Sequence, residues 1–171
     1  MTPDEQEMIF GMAVLPDGTR EVDPGDVLRH FGTADGKELG LRLLRQALQT
    51  KDADDAEAAL VVCSEFGVTS EALEPLLQLA AADWHQRHED VVTAIGRFKD
   101  PRAVGALLQA TLLVPDYLDY DDSRALATKA IWALGVIPGS DAQRALRELL
   151  DSDDAILRAG AEQQLARRSG S

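Results

Sequence analysis

The residues best suited to chemistry are few. His85 and His88 lie three apart, and Glu89 follows the second. On a continuous helix, positions i and i+3 share a face, so two imidazoles and a carboxylate there would suit one metal ion. The ordinary reading is that Trp84 to Asp90 spans a helix end and the next helix start. There His88 or Asp90 caps the new helix and the other side chains face solvent. The remaining histidine, His30, is distant in sequence. The lone cysteine, Cys63, sits among Leu60, Val61, Val62 and Phe66. With no cationic neighbour to lower its pKa, it reads as a small core residue rather than a nucleophile. GxSxG, P-loop and GxGxxG motifs are absent. The expectation is therefore a chain without catalytic residues, metal or cofactor, with His85, His88 and Glu89 the sole metal candidates.

Acidic residues are more informative. They gather in three places: Asp52, Asp54, Asp55 and Glu57; the segment 114–122; and Asp151, Asp153 and Asp154. Each cluster precedes an expected helix, where Asp accepts hydrogen bonds from free N–H groups and favours the positive end of the dipole. Capping accounts for the first and third clusters. The middle one holds Asp116, Asp119, Asp121 and Asp122, with both tyrosines of the protein, Tyr117 and Tyr120, and no base. Capping needs one or two acids, not a nine-residue insertion. Acids that steer cations and aromatics that anchor interfaces suit recognition of a basic protein partner. Trp132 joins this candidate partner-binding set. On its helix the apolar stripe is Leu126, Ala127, Ala130, Ile131 and Leu134, and Trp132 points away from it, beside Ala125 and Lys129. It either packs beneath the loop through Leu118 or a tyrosine, the favoured arrangement, or faces a partner. Trp84, at a helix end, is expected to plug the core.

What must position these groups follows from composition. Of 171 residues, 25 are Ala and 24 are Leu, while aromatics are 5%. These are the two best apolar helix formers, so the expected fold is all-α with thin, Ala-lined contacts. The 17 Lys+Arg against 30 Asp+Glu leave a net charge of −13. That excess opposes binding to nucleic acid or to an anionic membrane surface. No apolar run approaches the roughly 20 residues of a membrane span. A single cysteine and the lack of a signal-like N-terminus fit a reducing cytoplasm.

Along the chain, residues 1–22 form a separate segment, expected as a short helix from Thr2-Pro3-Asp4-Glu5 and then a loop, with a hairpin as the alternative. Further helices are expected over 24–31, 36–49, 52–67, 69–84, 88–98, 101–113, 122–135, 141–150 and 154–167, and 169–171 as a disordered tail. Pro75 falls in the second turn of the 69–84 helix, which predicts a 3₁₀-like start or a slight kink. Short links force neighbouring helices antiparallel. Ala72-Leu73-Glu74-Pro75-Leu76-Leu77 aligns with Ala103-Val104-Gly105-Ala106-Leu107-Leu108 at an offset of 31, and Ala142 and Leu146 continue the pattern at 39. Two-helix units of this period predict an α-solenoid of about four antiparallel pairs over 23–168.

The segment Asp100-Pro101-Arg102-Ala103-Val104-Gly105-Ala106-Leu107-Leu108 resembles the turn and second helix of HEAT-like repeats of the short type named after phycobilisome bilin lyases. Ala130-Ile131-Trp132-Ala133-Leu134-Gly135 resembles the end of the first helix of such a repeat, and Leu157-Arg158, Ala161 and Leu165 the start of another. The resemblance covers about 53–168, and more loosely 24–50, and departs at Arg97-Phe98-Lys99 and at 114–122. It implies a right-handed solenoid whose second helices, near 70–84, 101–113 and 141–150, form a concave wall. It also implies a scaffold or adaptor for protein–protein interaction. The alternatives are an immunity-type inhibitor of a basic toxin, and an enzyme of bilin-lyase-like or metal-dependent type. HEAT-like di-iron hydroxylases use several His-Glu pairs, and this chain has one, His88-Glu89. Oligomeric state is left open.

Overall fold

The computed structural model describes residues 1–121 and 123–170. Among them every regular element is helical: α1 (Pro3–Phe10), α2 (Pro24–His30), α3 (Gly36–Thr50), α4 (Ala53–Phe66), α5 (Leu73–Ala80), α6 (His88–Gly96), α7 (Val104–Leu112), α8 (Ala125–Val136), α9 (Ser140–Glu148) and α10 (Ala155–Ser169). None of the described helices is long and apolar enough to cross a membrane. The helices pack in two compact units, Met1–Gln78 with Trp84–Arg87, and Leu79–Asp83 with the chain from His88 onward.

The first unit is built on the α3–α4 hairpin. Asp35 caps α3 through the N–H groups of Lys37 and Glu38, and Asp52 caps α4 through that of Asp55. Between them the chain reverses at Lys51, held in the left-handed region at φ 52°. Leu39, Leu43, Leu44 and Ala47 on α3 and Ala59, Val62 and Cys63 on α4 are buried. Cys63 is thus the core residue its neighbours suggested. The N-terminal segment forms the expected short helix: Thr2 and Glu5 make a reciprocal capping box, and α1 packs on α4.

The second unit centres on α8, which packs against α6, α7, α9 and α10. Three pairs of contacts fix helix direction. Arg124, before α8, holds Asp154, before α10, at 2.9 Å. Arg168, late in α10, donates to the carbonyls of Leu134, Gly135 and Ile137 where α8 ends. A Cβ on Gly96, closing α6, would lie 3.0 Å from that of Ala133, late in α8. Starts meet starts and ends meet ends, so α6, α8 and α10 run parallel in one row. At the end of α8, Gly135 leaves room for the buried Gln164 side chain, whose Oε1 would lie 2.2 Å from a Cβ there.

The sequence offsets reappear in local structure. A 3₁₀ turn over Ser70–Ala72 leads into α5, and one over Pro101–Ala103 leads into α7, each 31 residues apart. The 3₁₀ start expected around Pro75 is therefore present. Ala72, Leu76 and Leu79 are buried, as are Ala103, Leu107 and Ala110, and then Ala142, Leu146 and Leu149. Two helices are shorter than expected. The 69–84 helix stops at Ala80, because the carbonyl of Ala82 turns to the His88 ring. The 122–135 helix starts at Ala125, because Arg124 is left-handed at φ 51° and breaks the first turn.

Candidate functional site

The segment after α7 is anchored by two residues that sequence reasoning assigned to a partner. The Tyr117 hydroxyl lies 3.2 Å from the His88 N–H and 3.0 Å from its Nδ1, while His88 Nε2 lies 2.8 Å from the Ala82 carbonyl. A carbonyl accepts only, so in the neutral ring Nε2 carries the proton and Nδ1 accepts from Tyr117. The phenol oxygen in turn accepts the backbone N–H. The two rings stack with centroids 5.8 Å apart, and His88 is 3% exposed. Tyr117 therefore ties its loop to the start of α6.

Asp121 is committed in the same way. It accepts from the Ser123 N–H and hydroxyl and from the Ala125 N–H, capping α8 across the left-handed Arg124. These bonds, the Ser123 hydroxyl first and the Ala125 N–H next, hold its carboxyl below the ordinary aspartate value. A lowered folded pKa stabilises the cap above the ordinary value and loses that contribution as pH falls through the lowered one. Acid titration is expected to raise amide exchange at Ala125 below about pH 4, and Asp121→Asn is expected to flatten that pH dependence.

What the loop leaves outward is Asp116, Asp119 and Tyr120, the last 82% exposed. Leu112, Leu113 and Val114, just before it, are exposed as well. Asp122 lies outside the described residues. The other acid clusters cap as expected, through Asp52 on α4 and Asp154 on α10. Asp55 goes further: it is a buried carboxylate that accepts from Gln6, Thr50 and the Met1 ammonium.

The metal candidates are occupied separately. His85 Nδ1 accepts the Arg87 N–H at 3.0 Å. Both His88 nitrogens have the partners given above. Glu89 pairs with Lys129 at 2.5 Å. Among the described residues no group of three or more His, Cys, Asp or Glu is placed to hold a metal ion. Trp84 is only partly buried, edge-on to His85, rather than a core plug.

Trp132 departs from the arrangement favoured on sequence. It stands 48% exposed on α8, with Val136 one turn on at 50%. The Arg167 guanidinium covers its ring at 4.6 Å from the centroid, a cation–π contact. A groove of about 420 Å³ runs along one side of this ridge against Val92, Gly96 and Arg97 of the α6 segment. Another of about 460 Å³ runs along the other side against Pro138, Gln164 and Arg167. Sequence reasoning missed Arg97, Arg124, Arg167 and Arg168. Arg124 is the tie between helix starts, also bonding the Thr111 carbonyl at 2.8 Å. Basic residues at a helix end were a visible signal for Arg167 and Arg168. The helix they serve, α8, was not.

No family model matches the chain, and no curated protein matches it.

Proposed function

We propose that this chain is a non-catalytic module for protein–protein interaction, built from HEAT-like repeats whose helix pairs stack as a right-handed α-solenoid. The 31-residue register of 3₁₀ starts and buried positions supports the repeat reading. So does the parallel row of α6, α8 and α10, since stacked two-helix units place equivalent helices side by side.

The observation that carries the function is the Trp132–Val136 ridge. A half-exposed tryptophan beside a half-exposed valine, with an apolar groove on one side, is a costly surface for a chain that touches only water. Tryptophan and arginine are also the residues that dominate binding energy at interfaces. Asp116, Asp119 and Tyr120 extend the surface with charges that steer a basic segment of a partner.

Affinity capture from the native host, followed by direct binding with each purified protein recovered, tests the reading. Trp132→Ala is expected to weaken direct binding at least about tenfold, a hot-spot loss. Asp116→Ser with Asp119→Ser is expected to slow association and reduce its salt dependence. Retention of every protein by both variants at unchanged affinity would overturn it.

A further inference from the structure

The exposed face of the α6–α8–α10 row is bipolar, and its two ends complement each other. All three helices point the same way, so one end gathers their starts and the other their ends. The starting end carries Asp116 and Asp119 in the loop and Asp153 before α10, with Glu89 paired to Lys129 and Arg124 to Asp154. Beside these acids stand exposed Leu112, Leu113 and Tyr120. The finishing end carries Arg97, Arg167 and Arg168 around Trp132 and Val136. In a chain with 17 bases against 30 acids, this basic rim is the exception. Seven residues of helix separate Ala125 from Trp132, about 10 Å along α8.

A two-fold rotation perpendicular to these helices lays the acidic, aromatic end of one copy on the basic, Trp132 end of the other, twice over. We infer that the Trp132 groove is covered by a second copy of this chain in an isologous, antiparallel dimer across the α6–α8–α10 face. This rests on the reading of the ridge as a protein-binding surface and names its occupant. Pairing like ends would set Arg97 of each copy against Arg167 of the other, so charge selects the antiparallel arrangement. The His88–Tyr117 tie holds Tyr120's loop in place before association, which limits the ordering cost. A row of three helices about 9 Å apart, with α8 about 18 Å long, offers on the order of 500 Å² per copy in flat projection. That is near the small end of specific interfaces, so a reversible dimer in the micromolar range is expected.

Sedimentation equilibrium of the full chain from about 1 µM to about 500 µM tests this. The expected result is a monomer–dimer equilibrium whose dissociation constant rises at least about tenfold between roughly 50 mM and 500 mM salt. Trp132→Ala and the milder Tyr120→Ala, at a residue too exposed to affect folding, should each weaken it. One double variant, Asp116→Lys with Asp119→Lys, replaces the loop's two outward acids with bases. Another, Arg97→Glu with Arg167→Glu, makes both ends acidic. Each alone should be monomeric, and a one-to-one mixture should restore a heterodimer. A monomer at every concentration, or a dimer indifferent to both reversals, would overturn the inference. Trp132-dependent binding of another protein by such a monomer would leave the interaction reading standing, and its absence would remove both.

Discussion

Replacing Asp55 with alanine is expected to lower stability by about 3 kcal/mol, as removal of one partner from a buried charged network does. Asp55 is 2% exposed. Its Oδ1 accepts from Gln6 at 2.9 Å, and its Oδ2 accepts from the Met1 ammonium at 3.0 Å and Thr50 at 3.3 Å. One carboxylate thereby joins the N-terminal segment, the end of α3 and the first turn of α4. Alanine leaves the amide and the ammonium without their acceptor, and a buried donor left unmet costs more than the bond contributes net. Asp55→Asn keeps the shape but not the charge, and should fall between. Asp52→Ala removes only a helix cap and is expected to cost about 1 kcal/mol. Urea denaturation gives the ordering, and proteolysis near α1 should rise in the Asp55 variants but not in Asp52→Ala. Equal effects at the two positions would contradict the network.

The second large effect is expected at His88. His88→Ala should cost about 3 kcal/mol, from a lost buried ring and from the Ala82 carbonyl and Tyr117 hydroxyl it leaves without that partner. Two segments depend on it, 79–83 and the loop after α7. Faster amide exchange is therefore expected at both, in one variant, with α10 unchanged. Tyr117→Phe isolates the loop half: it should cost about 1 kcal/mol and loosen 115–121 while leaving 79–83 protected. His88→Phe keeps most of the volume and separates packing from hydrogen bonding. Because the loop carries Asp116, Asp119 and Tyr120, the same variants should also slow partner association without touching those residues.

Most of the helices and their register were legible in the sequence. Leu39, Leu43 and Leu44 fall on one stripe because a helix turns 100° per residue, and all three are buried. Asp52 and Asp154 cap because an acid just before a helix meets N–H groups two or three residues on. The offset of 31 between Ala72 and Ala103 reappears as equivalent buried positions after equivalent 3₁₀ turns. Periodicity and caps act within a few residues, and an offset can be read by aligning the string with itself, so a linear sequence records them.

The fate of the candidate site was a different matter. Nothing in the spacing of Tyr117 and Tyr120 told which would be tied inward; His88, 29 residues before Tyr117, decides it. Asp121 read as a charge for a partner, yet it spans the left-handed Arg124 to cap α8. Trp132 was legible as off the apolar stripe, but its surroundings come from the α6 segment and from Arg167 on α10. The sequence by itself determined which residues form helices and which face each helix buries, because those are local preferences. Only the tertiary structure decided which acids and aromatics remain available, because that depends on which distant donor or ring arrives first to satisfy them.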